Sequence, residues 1–133
     1  MINMTKDSID LGIVVRDAGK ALAFYRDTLG FVPAGESPFP GGGTMPRLMC
    51  GASMIKLVAL GTNPDLANPP GGITAASGYR YWTISVSNLD DVVQACRDAG
   101  AKVVMGRTEI RPGVSIAMVE DPDRNWVEFL ETT

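Results

Sequence analysis

Four polar side chains stand in otherwise apolar, strand-like segments of the 133-residue chain: Asp10, Lys56, Tyr81 and Glu128. Carboxylates accept protons and bind hard cations, an ammonium group stabilises an oxyanion, and a phenol donates a neutral hydrogen bond. The chain contains no histidine. Nitrogen-preferring metals therefore lose their usual ligand, and a serine triad has no base. The chemistry that these four residues can supply is that of oxygen and ammonium groups.

Period-two alternation predicts that these residues lie on the polar faces of β-strands. Side chains point alternately to the two faces of a strand, so Asp10 and Tyr81 lie opposite the apolar faces of their segments. We expect the apolar faces to pack against helices, which leaves the polar faces on the concave side of the sheets. Their companions on the polar faces are Gly12, Val14, Met54, Val58, Thr83, Ser85, Trp126 and Leu130.

A weak internal repeat predicts two similar halves. The segment 9–17 aligns with the segment 80–88, and each copy is followed by a helical pattern and further strand patterns. We therefore expect an α+β fold with a first βαβββ module over residues 1–62 and a second over 79–133. The segment 63–78, rich in proline and glycine, is the predicted linker.

Local signals add detail to the first half. Asp17 is the predicted N-cap of a helix that ends at Gly30. The segment 38–43, which contains two prolines and three glycines, is predicted to be a mobile loop. Cys50 and Cys96 each sit in an apolar segment, and we expect both to be buried thiols.

The composition excludes several classes of protein. Apolar residues make up 45% and charged residues 20% of the chain, which is typical of a globular protein. A net charge of −3 without a basic cluster argues against nucleic-acid binding. No apolar segment has the pattern of a signal peptide or the length of a membrane span. We expect a cytoplasmic protein that binds neither nucleic acid nor membranes.

Three phrases resemble the glyoxalase / bleomycin-resistance / extradiol-dioxygenase superfamily, also called the vicinal-oxygen-chelate proteins: residues 23–31, 99–103 and 120–128. The resemblance implies paired βαβββ modules that form an incomplete barrel-like sheet around a cleft, usually in a homodimer. It does not imply one reaction, because the fold hosts lyases, isomerases, dioxygenases and drug-binding proteins.

The resemblance also implies where a site should be. Metalloenzymes of this superfamily hold a metal on four inward side chains, and those positions correspond here to Asp10, Lys56, Tyr81 and Glu128. Because the four positions correspond to one site, we expect these residues to converge in one cleft. Only Glu128 matches the usual ligand types, so we expect the cleft to hold neither a cofactor nor the usual metal. Three alternatives remain open for the cluster: Mg²⁺ or Mn²⁺ held by the two carboxylates, the Lys56 ammonium in the place of the metal, or a purely structural salt bridge.

Two functions follow from such a cleft. The first is binding and sequestration of a drug or metabolite, with Trp126 and Met54 lining the site beside the four polar residues. The second is metal-independent isomerase, epimerase or lyase chemistry next to a carbonyl group. There Lys56 would stabilise an oxyanion, Glu128 or Asp10 would accept a proton, and Tyr81 would donate a hydrogen bond. The orientation of Arg47, Arg80 and Arg111, which could bind an anionic group, does not follow from the sequence.

Overall fold

The computed structural model describes all residues, 1–133, and divides the chain into two compact units, Met1–Asp65 and Leu66–Thr133. The boundary falls inside the predicted linker. Each unit contains one four-stranded mixed sheet with a helix after its first strand. The two units have the same strand order, which confirms the predicted α+β fold of two repeated βαβββ modules.

The first unit contains four strands and one short helix. In chain order they are β1 (Asp10–Val14), α1 (Ala18–Leu22), β2 (Val32–Pro38), β3 (Gly43–Cys50) and β4 (Ser53–Leu60). The strand order in the sheet is β1-β4-β3-β2, with β1 parallel to β4 and the other pairs antiparallel. Strands β3 and β4 are therefore the two central strands, and their side chains occupy the middle of both faces of the sheet.

The helical segment of the first unit is not a uniform α-helix. Asp17 caps α1 as predicted, since its Oδ1 accepts a hydrogen bond of 3.1 Å from Lys20 N. A π-helical turn, Ala23–Thr28, then follows, and Gly30 leaves the helix with φ +81°. Phe24 and Tyr25 are successive in sequence yet both buried, and the wider π turn accommodates both on the packed side.

The glycine-rich segment 38–43 forms the turn of a hairpin between β2 and β3. Phe39 N donates to Gly43 O and Gly42 N donates to Phe39 O, each at 3.1 Å. Gly43 has φ +100°, and a Cβ there would overlap the carbonyl oxygen of Ala59. The segment predicted to be a mobile loop is thus a hydrogen-bonded turn whose glycine permits a close backbone approach.

The second unit repeats the plan. A single 3₁₀ turn, Gly72–Thr74, precedes β5 (Tyr81–Ser85), α2 (Leu89–Asp98), β6 (Lys102–Arg111), β7 (Val114–Glu120) and β8 (Trp126–Thr132). The strand order is β5-β8-β7-β6, with β5 parallel to β8. Helix α2 buries Leu89, Val93 and Cys96, and the central strand β7 is buried along residues 114–119.

Helix α2 is capped from a distant strand rather than by the residue at its own N-cap position. The Asn88 side chain makes no capping hydrogen bond. Instead Glu131 Oε1 accepts a hydrogen bond of 2.9 Å from Leu89 N, and Arg107 donates to Glu131 Oε2 at 2.6 Å. The helix-end amide, followed by Arg107, lowers the pKa of Glu131. Glu131 therefore ties the start of α2 to β8 and β6.

The two cysteines differ in burial. Cys96 is buried, and desolvation raises its pKa to about 11. Cys50 is only partly buried, which corrects the expectation for that residue, because it lies at the end of β3 beside the turn to β4. Both are free thiols. No helix is both long and apolar enough to cross a membrane.

Candidate functional site

In each unit the predicted polar face of the first strand is exposed. Asp10, Gly12 and Val14 are exposed along β1, whereas Ile13 between them is buried. In β5 the exposed residues are Tyr81, Thr83 and Ser85. We call these the open faces of the first and second units, and they carry the polar side chains singled out in the sequence.

On the open face of the first unit, Asp10 and Lys56 lie close together. Asp10 Oδ2 is 3.7 Å from Lys56 Nζ, and Asp10 Oδ1 is 2.6 Å from Lys6 Nζ. The pKa of Asp10 is lowered, mainly by the hydrogen bond from Lys6 and further by the charge of Lys56. Partial burial of the carboxylate opposes both effects. The carboxylate is therefore shared between two ammonium groups, of which the sequence analysis identified only one.

Strand register places Lys56 in the middle of this face. Its Cα pairs with Gly12 on β1 and with Arg47 on β3. Arg47 donates to Ser37 Oγ, and at 3.4 Å to the Ala34 carbonyl. The sequence did not determine the orientation of Arg47. In the structure Arg47 lies on the open face, and its backbone position is next to that of Lys56.

On the open face of the second unit, Glu128 has a neutral partner. Thr83 Oγ1 donates to Glu128 Oε1 at 2.9 Å, and the two residues are register partners on β5 and β8. Tyr81 pairs in register with Trp126 and keeps 49% of its surface exposed. Tyr81 and Glu128 therefore lie on one face of two neighbouring strands.

Trp126 is held in place by its own unit. Its Nε1 donates to Glu120 Oε2 at 3.2 Å. Gly72 lies so close that a Cβ there would overlap the indole ring. One part of the ring is thus covered by the chain, which reduces the surface that Trp126 can offer to a ligand. Met54, the other predicted lining residue, is half-buried on the open face of the first unit.

Arg80 is a structural residue rather than an anion-binding one. It is 9% exposed and donates three hydrogen bonds of 2.8 Å, to Gly72 O, Asn68 Oδ1 and Pro69 O. These bonds fasten the segment that covers Trp126 and engage all three nitrogens of the guanidinium. Arg111, at the end of β6, is exposed.

The structure thus brings Asp10 and Lys56 together in the first unit, and in the second it places Tyr81 and Glu128 on the same face of neighbouring strands. That all four serve one ligand stays a prediction. Sequence reasoning missed Lys6, which precedes the first strand and has no periodic signal. It also missed Thr83 as the partner of Glu128, although both were assigned to polar faces.

The family of the chain is shown by a sequence match that extends over nearly all of its residues. The family profile described as Glyoxalase/Bleomycin resistance protein/Dioxygenase superfamily matches residues 7–129. The chain belongs to this superfamily. No curated protein matches it significantly.

Several solved structures share the fold of this chain. A glyoxalase family protein from Bacillus cereus has a TM-score of 0.83 at 18% identity, with 98% of this chain and 96% of that chain covered. TnmS3, an antibiotic binding protein from Streptomyces sp. CB03234, has a TM-score of 0.71 at 20% identity, with 98% and 100% covered. The trypanothione-dependent glyoxalase I of Leishmania major has a TM-score of 0.69 at 21% identity, with 92% and 84% covered. At these identities the likeness extends to the fold alone.

Proposed function

We propose that this chain binds a small organic molecule without a metal ion and sequesters it chemically unchanged. One observation carries the proposal: the Asp10 carboxylate lies between the ammonium groups of Lys6 and Lys56, at 2.6 and 3.7 Å. Asp10 stands at a position where the family resemblance implies a metal ligand, but here its carboxylate already has two ammonium partners.

The residues at the four positions fit a metal ion poorly. A divalent cation on Asp10 would stand within a few ångströms of Lys6 and Lys56. Two unit positive charges 4 Å apart repel by about 4 kcal/mol at an effective dielectric of about 20, and a doubly charged ion is repelled more strongly. The chain has no histidine to compensate with a neutral nitrogen ligand. We therefore derive no step through a metal.

The same arrangement disfavours Asp10 as a catalytic base. A general base works best when its pKa lies near the working pH. Lys6, with a smaller effect from Lys56, instead moves the pKa of Asp10 below its ordinary value. A carboxylate held in this way accepts hydrogen bonds well but takes a proton from carbon poorly.

A second candidate function rests on Glu128. Its hydrogen bond from Thr83 orients the carboxylate without a neighbouring cation. Glu128 is thus the one of the two carboxylates that has no cationic partner, and Tyr81 on the same open face can donate a hydrogen bond to a ligand. This arrangement supports metal-independent isomerase, epimerase or lyase chemistry as the alternative to sequestration.

One solved structure with this fold, TnmS3 from Streptomyces sp. CB03234, is described as an antibiotic binding protein, which supports sequestration. Mixed faces of methionine, valine and charged side chains suit a ligand with an apolar body and a polar group. We propose the same binding role for this chain, without assigning it a particular antibiotic.

Native mass spectrometry against a library of antibiotics and metabolites tests the proposal. We expect a ligand that binds in a fixed stoichiometry, is retained after extensive dialysis against EDTA, and dissociates with unchanged mass. Binding that is lost with EDTA and restored by Zn²⁺, Mn²⁺ or Mg²⁺ would contradict the metal-free proposal. Lys56→Met should weaken this binding. Its matched control is Lys20→Met, because Lys20 is an exposed lysine on α1, away from the open face.

A further inference from the structure

Two hydrogen-bonded oxygen atoms lie together on the open face of the second unit. Thr83 on β5 and Glu128 on β8 are register partners, and Thr83 Oγ1 donates to Glu128 Oε1 at 2.9 Å. A hydroxyl group has one proton to donate, and an ionised carboxylate has none. Because the Thr83 proton is used in this bond, the pair offers only acceptor sites to a ligand. A ligand group that binds the pair must therefore donate hydrogen bonds.

The distance between the two oxygens suits one donor group. Oxygens 2.9 Å apart can both lie within hydrogen-bond distance of a single nitrogen placed beside them. A primary ammonium group carries three N–H donors, so it can donate to the Glu128 carboxylate and to Thr83 Oγ1 at once. Its hydrogen bond to the carboxylate is charge-assisted and about twice as strong as that of a neutral donor. The pair therefore favours an ammonium group over a neutral donor.

The charge of Glu128 is not compensated within the chain. Glu128 is partly buried, its hydrogen-bond partner is neutral, and none of the ion pairs of the chain includes it. Asp10, on the open face of the first unit, instead has Lys6 and Lys56 at 2.6 and 3.7 Å. An ammonium ligand would compete with these two lysines at Asp10, but it meets no such competitor at Glu128. The net charge of −3 also favours the approach of a cation.

Apolar surface borders the two oxygens along the strands. Tyr81 precedes Thr83 by two residues on β5 and is 49% exposed, and Leu130 follows Glu128 by two residues on β8 and is partly buried. Residues two apart in a strand share a face and lie about 7 Å apart. Tyr81, the more exposed of the two, therefore offers an aromatic surface to the body of a ligand whose charged end lies at Glu128.

We infer that the bound molecule carries a protonated primary or secondary amine on an apolar body, and that its ammonium group bridges Glu128 and Thr83. The inference rests on the proposed function and specifies the chemical class of its ligand. The uncompensated carboxylate and the acceptor-only pair select a cation with N–H donors over an anion or a purely apolar group. The apolar body lies against Tyr81. The inference concerns the ligand group that the second unit binds, and the role of Lys56 in the first unit is a separate prediction.

A set of phenylalkyl probes separates charge, hydrogen bonding and shape: 4-phenylbutylamine, its N,N,N-trimethylammonium analogue, the neutral 4-phenylbutanol and the anionic 4-phenylbutanoate. Titrations followed by amide chemical shifts of the ¹⁵N-labelled protein report both affinity and location. We expect the shifts to centre on β5 and β8, with the amine bound about tenfold more tightly than the alcohol. The trimethyl analogue keeps the charge but has no N–H donor, so it should bind more weakly than the amine. Added salt should reduce the advantage of the amine, because salt screens charges.

Variants assign the effect to the two oxygens. Glu128→Gln removes the charge at nearly constant shape, so it should remove most of the amine preference, about tenfold, and leave alcohol binding unchanged. Thr83→Val removes the hydroxyl and should weaken amine binding by a smaller factor, whereas Thr83→Ser should retain it. Glu109→Gln is the matched control and should change nothing, because Glu109 is an exposed glutamate on β6 that pairs with Ser115 and not with a residue of the open face. The amide spectra show directly whether each variant is folded.

Equal affinity for the amine and the alcohol would overturn the inference, as would tighter binding of 4-phenylbutanoate or equal effects of Glu128→Gln and Glu109→Gln. A trimethyl analogue that binds as tightly as the amine would overturn the hydrogen-bonded bridge, and shifts that avoid β5 and β8 would overturn the location. None of these results touches the proposed function, which fails instead when the ligand found in the library screen requires a metal or is chemically converted.

Discussion

Lys56 Nζ lies 3.7 Å from Asp10 Oδ2, and this ion pair joins two parallel neighbouring strands on an exposed sheet face. The side chains are 37% and 32% exposed, so the pair is partly solvated. Solvated ion pairs contribute little to stability. A role in ligand recognition explains the position of Lys56 better than a role in holding the fold together.

Replacement of Lys56 by methionine separates these roles. Met keeps most of the stem and removes the charge, and Asp10 keeps its closer partner Lys6. We expect ligand affinity to fall about tenfold or more, while the thermal midpoint stays close to that of the wild type. Calorimetric titration and thermal unfolding of Lys56→Met beside Lys20→Met measure both effects. A large loss of stability with unchanged affinity would assign Lys56 a structural role.

A methyl group added at Gly72 should disturb the second unit. Gly72 has φ +61°, and a Cβ there would overlap the Trp126 ring. Gly72→Ala should therefore lower the free energy of unfolding by about 1–3 kcal/mol, through backbone strain and overpacking. Urea unfolding followed by tryptophan fluorescence measures the change. Gly30→Ala is the control for strain alone, because it also has positive φ but meets nothing within 4 Å. Equal losses in both variants would show that the contact with Trp126 is unimportant.

The cap of α2 makes stability depend on pH. Glu131 has its pKa lowered from the ordinary value of 4.5 by the Leu89 amide and then by Arg107. A lowered folded-state pKa adds stability that is fully present above the unfolded value and is lost as the pH falls through the folded value. Glu131→Gln should therefore lower the thermal midpoint at pH 7, and the difference from wild type should shrink below pH 4.5.

The exposed Glu109 on β6 provides the matched control for this cap. Glu109→Gln should leave the thermal midpoint nearly unchanged across the same pH range. A difference between Glu131→Gln and wild type that stays constant from pH 7 to pH 3 would contradict a contribution from the charged form.

We expect the protein to be a homodimer in solution. The edge strands β2 and β6 carry exposed apolar residues, among them Val32 at 62% and Ile110 at 46% exposure. Exposed sheet edges favour pairing with another chain, and two-fold dimers are the commonest closed oligomers. Light scattering coupled to size exclusion at micromolar concentration should give twice the mass of 14.1 kDa. A monomer mass under these conditions would refute the prediction.

The strands and their faces were predictable because their signals are local. The alternation in segments 10–15 and 81–86 predicted which side chains β1 and β5 expose. The turn at residues 121–124 was also predictable, since Asp121 Oδ1 accepts hydrogen bonds from Asp123 N and Asn125 N, each at 2.8 Å. These interactions join residues four positions apart or fewer.

The features that escaped prediction depend on contacts between distant residues. Glu131 caps α2 from 42 residues away, and Arg80 fastens a segment with no periodic pattern. The π turn depends on how Phe24 and Tyr25 pack together. The position of Arg47 beside Lys56 depends on the register of a hairpin, and a shift of one residue would reverse its face.

Deuterium exchange into the ligand tests the central claim, binding without turnover, most directly. Isomerase, epimerase or lyase chemistry next to a carbonyl removes a proton from carbon, so it exchanges a ligand hydrogen in D₂O. The ligand is incubated in large excess over the protein in D₂O and followed by proton NMR. We predict no exchange above that of a Glu128→Gln control and full recovery of the unchanged ligand. Exchange of many equivalents per protein, abolished by Glu128→Gln, would contradict sequestration and establish the catalytic alternative.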